Sequence, residues 1–289
     1  MIYNYKRNQI DITKYDTCIK KSINARIYAY SWYLDIVADN WDVLVLNDYE
    51  AVMPLPWRSK YFIKYIYPPS WTQQLGVFSK SEIGERLIQK FIKAIPKKFK
   101  KITIQFNAGN DLSIFKTQKR INYVLPLNKS YEEIYKGFNK NRKRDLSKAK
   151  REGLIVKKNI LPKDFLQFYL QSKKNLKLQS NQISTLKKLL SIEDTTVNIW
   201  GIKKESQLIA CLIWIKEDRR ITYLLPVANN EAKNTGLATL LVNTLIKQFS
   251  TSNFQLDFEG SMIEGVANFY KGFGARKERY YNFLKYNFL

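Results

Sequence analysis

Hydrophobic and polar positions alternate most clearly in the last third of the chain. Apolar residues there recur with period two in short runs and with helical spacing between some of those runs. The pattern predicts these elements in order: strands at 197–202, 208–215 and 221–225, a helix at 236–249, a strand at 254–258, a helix at 263–272 and a strand at 280–286. Strands followed by alternating helices and strands are typical of a mixed sheet with helices packed on it.

The first third shows a weaker version of the same order. It predicts these elements: a helix at 17–38, a hairpin of strands at 41–46 and 51–55, a helix at 81–95 and a strand at 101–106. The repeated order indicates a structural duplication. A chain of 289 residues is also long enough for about two domains. We therefore expect an α/β fold, with a mixed sheet in each of two similar lobes, residues 1–128 and 129–289.

Composition restricts the chemistry further. The chain has 49 Lys and Arg against 25 Asp and Glu, a net charge of +24 that favours an anionic partner such as nucleic acid, a phosphorylated cofactor or an acidic membrane surface. It has no histidine, which excludes Ser-His-Asp and Cys-His catalysis and His-ligated metal sites. Two cysteines are too few for a disulfide scaffold or a four-cysteine zinc site, so we expect no metal. The start lacks a signal-peptide core and no apolar run is long enough to span a membrane, so a cytoplasmic protein is expected.

The basic charge concentrates between Lys136 and Arg151, where eight basic residues accompany one acid, Asp145. Just before it, Ser130 and Glu133 have the spacing of a capping box at a helix start. Three interpretations of the basic stretch stay open. It is a solvated helix face, a surface that tracks RNA phosphates, or a contact to anionic lipid or a lipid-linked diphosphate substrate.

Two carboxylates end the strand predicted at 254–258. Strand alternation places Asp257 and Glu259 on the same face. Paired carboxylates beside an apolar strand can have separated pKa values, which would leave one as a proton acceptor near neutral pH. The alternative, of equal weight on the residues alone, is that either carboxylate forms an ion pair with a Lys or Arg.

A tyrosine and a helix start complete the candidate chemistry. Tyr270 lies four residues before Gly274 and is a candidate general acid in a chain without histidine; the alternative is a half-buried aromatic side chain. The segment Asn234-Thr235-Gly236-Leu237-Ala238 opens the helix predicted at 236–249. Backbone N–H groups at such a helix start can hold a diphosphate.

Taken together, these features resemble a known superfamily. The resemblance rests on the following segments: 41–46, 53–56, 73–78, 141–149, and 257–261 through Phe273-Gly274. On these residues the chain resembles the GNAT acyltransferase superfamily, and more specifically the tandem-GNAT FemAB/FemX-like group. The resemblance implies an N-acyltransferase that moves an acetyl or aminoacyl group from an activated donor to an amine acceptor. It implies acyl-CoA (acetyl-CoA) as the donor or, in the FemX-like branch, aminoacyl-tRNA in a peptidoglycan-type aminoacyltransferase.

The resemblance also assigns residues to the donor site. The donor chain would lie along the strand that ends near Val227, with its diphosphate at the next helix start. The implied contacts are Leu225, Val227, Asn234, Thr235, Gly236, Leu237 and Ala238. The sequence departs from the pattern because position 233 is Lys, Pro226 has no N–H, and Ile263 stands where the family often has Asn. These departures fit the branch that uses aminoacyl-tRNA.

The implied mechanism is direct acyl transfer, with Glu259 or Asp257 as base or amine binder and Tyr270 as acid. Trp71, Gln73 and Gln74 are candidates for one wall of the acceptor groove, with a turn packed by Trp71 as the equal alternative. A different class of function, a non-catalytic RNA-binding module, also agrees with the basic stretch. The sequence carries no signal of the oligomeric state.

Overall fold

The computed structural model describes residues 1–172, 179–192, 196–232 and 235–287. In chain order the helices and strands are β1 (Ile2–Lys6), α1 (Ile12–Lys21), α2 (Ser31–Val37), β2 (Asn40–Leu46), β3 (Ala51–Lys60), β4 (Ile63–Ile66), β5 (Phe78–Ser79), α3 (Glu85–Ala94), β6 (Phe99–Phe106), β7 (Thr117–Pro126), α4 (Tyr131–Lys136), α5 (Lys140–Arg151), β8 (Val156–Lys157), α6 (Pro162–Ser172), α7 (Ser180–Leu190), β9 (Val197–Lys204), β10 (Gln207–Lys216), β11 (Arg220–Ala228), α8 (Leu237–Phe249), β12 (Gln255–Asp257), α9 (Glu264–Lys271) and β13 (Arg276–Tyr286). This mixed α/β order confirms the predicted fold class.

The chain forms two compact units. Unit 1 contains residues 1–121 and 279–289, and unit 2 contains residues 122–278. The C-terminal strand β13 pairs antiparallel with β6, so the end of the chain returns to the first unit. The lobe boundary proposed at 128/129 stays a prediction.

In unit 1 the strand order is β1-β2-β3-β4-β6-β13, with β5 paired to the other end of β3. Apolar positions of α3 recur at helical spacing, and Ile88, Phe91 and Ile92 are buried on one face. They pack in a core with Phe99 and Phe106 of β6. The amphipathic pattern therefore produces a helix that covers one side of this sheet.

In unit 2 the strand order is β7-β12-β11-β10-β9-β8. Trp200 and Trp214 meet edge to face at 5.2 Å, and Trp214 contacts Phe249 of α8 at 5.5 Å. Leu241 and Leu245 of α8 are buried in the same core. These aromatic and aliphatic contacts hold α8 in place, and the start of this helix belongs to the candidate site.

Each unit contains a parallel strand pair that spans only three residue pairs. In unit 1, β4 and β6 pair up to Ile66↔Ile102; in unit 2, β11 and β12 pair up to Thr222↔Asp257. In both cases the first strand of the pair is an outer arm of a preceding antiparallel meander. This shared irregularity agrees with the duplication that the sequence pattern predicts.

The basic stretch forms two helices rather than one continuous helical segment. Ser130 and Glu133 form the predicted capping box, and α4 ends at Gly137. Asn139 then caps α5 by accepting the Arg142 N–H at 2.9 Å. Because Asn139 supplies a new N-cap, the charged segment changes direction before its longest helix begins.

The helix predicted at 17–38 is also interrupted. α1 ends at Lys21 and α2 begins at Ser31. Between them the buried Asn24 donates to the Val77 carbonyl at 2.8 Å and to Asn107 Oδ1 at 2.9 Å. These distant hydrogen bonds hold the segment away from the helical conformation, which local spacing alone cannot reveal.

Candidate active site

The opening between β11 and β12 is the central feature of unit 2. We call it the notch, and define it by residues 223–228 of β11 on one side and 258–261 after β12 on the other. β11 continues to Ala228, although its pairing with β12 ends at Thr222↔Asp257. A bulge inserts Leu224 into β11 opposite β10, which bends the strand at this point. Residues 223–228 of β11 lie beyond the last residue pair with β12, and a strand edge without a neighbour is a surface to which an extended ligand can pair.

Tyr270 of α9 forms the floor of the notch. Its ring stacks on Phe258 at 4.8 Å and meets Tyr223 edge to face at 6.0 Å, with Tyr123 at 6.1 Å. The residue is 7% exposed. Burial, and after it the charges of Glu259 and Asp257, raise the pKa of Tyr270 well above its usual value. The hydroxyl therefore stays protonated at neutral pH and can donate a hydrogen bond or a proton.

Asp257 lies in a buried ionic network. Its Oδ2 is 2.5 Å from a guanidinium nitrogen of Arg220, and its Oδ1 accepts from Asn122 at 2.9 Å. Arg220 also pairs with Glu278 at 3.4 Å. Burial lowers the pKa of Arg220, but the charges and hydrogen bonds of Asp257 and Glu278 outweigh burial and raise it overall. The structure therefore brings Asp257 to a cation, which is the ion-pair alternative that the sequence left open.

Glu259 differs from the expectation of a shared strand face. β12 ends at Asp257, and Glu259 and Gly260 adopt left-handed conformations with φ of 58° and 67°. Alternation therefore does not reach Glu259, because the strand has already turned. Its backbone N–H donates to Asp257 Oδ1 at 2.9 Å, and the side chain is partly exposed. The charge of Glu259 is one of the causes, after burial, that raise the pKa of Tyr270.

The start of α8 is covered by α5. Gly236 caps the helix with φ of 85°, and a Cβ at this position would lie 2.1 Å from the Asp145 carbonyl oxygen. Thr239, in the first turn of α8, donates to Asp145 Oδ2 at 3.1 Å and accepts from Arg142 at 3.1 Å. A carboxylate of the chain itself thus lies at the positive end of α8.

Arg142 holds this arrangement together. It pairs with Asp145 at 3.0 Å and lies over the Phe269 ring at 4.4 Å, next to Phe273 at 5.7 Å. Burial lowers the pKa of Arg142. The backbone N–H of Asn139 donates to the Gly272 carbonyl at 2.9 Å. α5 is therefore fixed to both α8 and α9, the helix that carries Tyr270.

The predicted donor contacts have mixed surroundings. Val227 and Leu237 are buried, whereas Leu225 and Ala238 are partly exposed. The Thr235 hydroxyl donates to the Ala232 carbonyl at 2.7 Å. Asn234 and the neighbouring Lys233 lie outside the described residues. At this helix start Asp145 accepts from the Thr239 hydroxyl.

Comparison with solved structures gives the fold. FemX matches over 94% of this chain and 96% of its own, with a TM-score of 0.67 and 11% identity. L-PGS from Bacillus licheniformis matches over 96% and 92%, with a TM-score of 0.59 and 12% identity. A tandem GNAT protein from the clavulanic acid biosynthesis pathway matches over 100% and 99%, with a TM-score of 0.60 and 9% identity.

The chain has a FemX-like, tandem-GNAT fold. At these sequence identities the structural likenesses establish the fold alone. A scan against protein-family models and a search of curated proteins give no match. Across the four described stretches, no helix is both long and apolar enough to cross a bilayer. Those stretches also bring no three His, Cys, Asp or Glu side chains together as a metal site.

Within this FemX-like fold, the residues proposed as an acceptor wall lie in unit 1. Trp71 adopts a left-handed conformation (φ 65°), and its carbonyl accepts the Tyr33 hydroxyl. Gln74 is fully buried and accepts the Ala108 N–H at 3.1 Å, so its amide supports the local backbone. Gln73 accepts from the Gln74 amide at 2.7 Å and lines a cavity of unit 1. That cavity occupies the gap between β4 and β6.

The basic stretch carries several exposed cations. Lys136, Lys140, Arg144, Lys150 and Arg151 are exposed, Lys143 and Lys148 are partly exposed, and Arg142 makes the helix contacts described above. Lys136 belongs to α4 and the other exposed members to α5. We call this set the α5 basic face. A surface of this kind attracts phosphates.

Sequence reasoning missed the residues that support the site from behind. Arg220 and Asn122 reach Asp257 from β11 and β7, at 37 and 135 residues from it in sequence. No local pattern marks such contacts. Arg142 and Asp145 had a local signal, since they are three residues apart on a helix and form the i,i+3 pair.

Proposed function

We propose that this protein is an acyltransferase that moves an acyl or aminoacyl group from an activated donor to an amine. The observation that carries the proposal is the notch, where β11 and β12 part above a buried tyrosine hydroxyl and a carboxylate. Leu225 and Val227 lie on the open part of β11, along the proposed path of the donor chain. Tyr270 lies at the floor of the notch, and Glu259 lies in the segment after β12 that forms one of its sides.

The reaction we propose is direct transfer. The amine nitrogen forms a bond to the donor carbonyl carbon while the bond from that carbon to the leaving oxygen or sulfur breaks. Glu259 accepts the proton that the amine loses, and Tyr270 donates a proton to the leaving atom. Proton return from Glu259 to Tyr270 restores both groups. Burial, and after it the charge of Glu259, raises the pKa of Tyr270 and so favours its protonated form, which is the form that donates a proton.

Asp257 has a different proposed role. It is 1% exposed and its two oxygens bind Arg220, Asn122 and the Glu259 N–H. These partners engage both of its oxygens and hold the side chain in one position. We therefore propose Glu259 as the base and Asp257 as the residue that fixes the backbone of Glu259.

For the donor, we propose an aminoacyl ester of tRNA rather than acyl-CoA. The residues at the start of α8 do not fit a CoA diphosphate. The Asp145 carboxylate lies at this helix end, and α5 packs against Gly236. A diphosphate there would have to displace α5 from its contact with Gly236. The α5 basic face offers an alternative surface for polyanionic RNA.

The acceptor is defined only as an amine. Trp71 and Gln73 are proposed as an amine-binding surface of unit 1 itself, with Gln74 supporting their turn through its bond to Ala108.

The experiment is a single-turnover transfer from labelled aminoacyl-tRNA to a small primary amine. Glu259→Gln and Tyr270→Phe should each slow transfer by about 10²-fold or more, the usual scale for a lost proton-transfer group. Glu264→Gln, an exposed carboxylate in the first turn of α9, is the matched control and should leave the rate unchanged. Acetyl-CoA should give no transfer. Equal rates in wild type and both site variants would contradict the assignment.

The second candidate is a non-catalytic RNA-binding module, and the α5 basic face is the observation that favours it. Both candidates predict tRNA binding that weakens as salt rises. They differ in the transfer assay. Tight tRNA binding by wild type, with no loss of the aminoacyl group in the presence of amine, would support the module and exclude the enzyme.

A further inference from the structure

The hairpin between β3 and β4 ends in a strongly exposed apolar tip. Lys60 pairs with Ile63, so Tyr61 and Phe62 form a two-residue turn. Tyr61 is 82%, Phe62 103% and Ile63 53% exposed. The tip therefore projects beyond the sheet of unit 1, with its side chains turned away from the core.

The backbone makes this choice of residues unusual. Tyr61 and Phe62 have φ of 49° and 64°, the left-handed conformation of a type I′ turn. Asn-Gly is the favoured pair there, because bulky side chains are strained at positive φ. Folding alone thus favours small polar residues at both positions. Two aromatic side chains in strained conformations and exposed to water require a reason outside this unit's own packing.

Three lysines lie on or beside the strands that lead to the tip, with the ammonium group of Lys64 over the Trp57 ring at 4.9 Å and that of Lys101 over the Tyr286 ring at 5.9 Å. Lys60 lies over the Tyr61 ring at 5.3 Å, and Lys64 follows Ile63 directly. Lys64 stands opposite Phe99 of β6, and Lys101 stands opposite Tyr65. Lys60, Lys64 and Lys101 are exposed, and the chain as a whole carries a charge of +24. The apolar tip thus has a basic border.

We propose that residues 60–64 insert into the interface of an anionic lipid bilayer. Aromatic rings favour the headgroup region, and lysines beside them reach lipid phosphates with their ammonium groups. The shape favours a bilayer over other partners. A lipid interface is fluid, so it can accommodate a protruding tip of any shape. A folded protein could bind the tip only if it had a groove of matching shape. Ile63 adds apolar area that base stacking on RNA would not use. This inference is independent of the transfer chemistry proposed for unit 2.

The test compares full-length wild type with the double variant Tyr61→Asn and Phe62→Gly. This variant has the favoured type I′ residues, so it should fold at least as well as wild type. Ile23→Ser removes an exposed aliphatic side chain away from the tip and is the matched control. Binding is measured by flotation with vesicles of phosphatidylglycerol and phosphatidylcholine, and with vesicles of phosphatidylcholine alone.

We expect wild type and Ile23→Ser to float with the anionic vesicles, and the double variant to bind about tenfold or more weakly. A chain of charge +24 also adheres to anionic lipid without insertion, so a second readout is needed. Tryptophan at position 62 (Phe62→Trp) should shift its emission to the blue and be quenched by brominated lipid. Equal binding by the double variant, or no quenching at position 62, would overturn the proposal. Lipid-free self-association that the double variant abolishes would overturn it too, by assigning the tip to a second copy of the chain.

Discussion

Gly236→Ala tests the contact that closes the start of α8. At this position the chain has φ of 85°, and an added Cβ would lie 2.1 Å from the carbonyl oxygen of Asp145. The atom it meets belongs to the backbone of α5, which cannot move aside as a flexible side chain can. The substitution should therefore separate α5 from α8.

Two effects add in this variant. An L-residue in the left-handed conformation costs about 1–2 kcal/mol, and forcing an extra carbon into a packed contact costs about 1–3 kcal/mol. We expect a loss of about 2–5 kcal/mol in the free energy of unfolding. Gly153→Ala is the matched control, because Gly153 also has positive φ (65°) and an added Cβ there meets nothing within 4 Å. It should show only the conformational part, about 1–2 kcal/mol.

Urea unfolding followed by tryptophan fluorescence measures both values, since Trp200 and Trp214 lie in the core that holds α8. The difference between the two variants isolates the contact and should be about 1–3 kcal/mol. Equal losses would refute the packing of α5 on α8. The argument against a diphosphate at this helix start would then lose its basis.

Three further predictions concern buried charge, thiols and the α5 basic face. Asp257→Asn should lower the free energy of unfolding by about 2–4 kcal/mol, because it leaves Arg220 in a buried site with a weaker partner; a loss below about 1 kcal/mol would contradict the ion-pair role. Burial raises the pKa of Cys18 to about 11 and of Cys211 to about 12, so a disulfide reagent at pH 8 should react with neither until the protein unfolds. The folded-state pKa of both thiols lies above the ordinary value of 9.0, so the two thiols make their full contribution to the free energy of unfolding below pH 9. That contribution is lost as pH rises toward 11 and 12, and unfolding measured at alkaline pH should show the loss. Arg144→Ala should reduce the salt slope of tRNA binding by about 1, whereas an unchanged slope would remove this residue from the RNA contact.

The last third of the chain was predictable because its pattern is strong and local. The strands predicted at 197–202, 208–215 and 221–225 correspond to β9, β10 and β11. Each contains an apolar run whose residues are buried against neighbours close in sequence. In such a meander, the alternation of apolar and polar residues and the turn residues between the strands are enough to predict the strands from the sequence.

The interior of the site was less predictable because it depends on long-range contacts. Asp257 could be identified as a carboxylate at a strand end, but its pairing with Arg220 depends on the register of β11 and β12. The strand pattern also predicted that Glu259 shares a face with Asp257. In the structure the left-handed turn at 259–260 takes Glu259 out of the strand, so alternation does not apply to it. Helix spacing could not reveal that Arg142 faces inward, since its neighbours are equally basic.

The central claim is that the notch holds the activated carboxyl group of the donor beside the Tyr270 hydroxyl. The most direct measurement places 3-fluorotyrosine at position 270 alone and follows its ¹⁹F resonance during titration with a stable, amide-linked aminoacyl-tRNA analogue. We predict a saturable shift that uncharged tRNA reproduces only weakly and that CoA does not produce. A resonance that stays fixed while the analogue binds would contradict the claim.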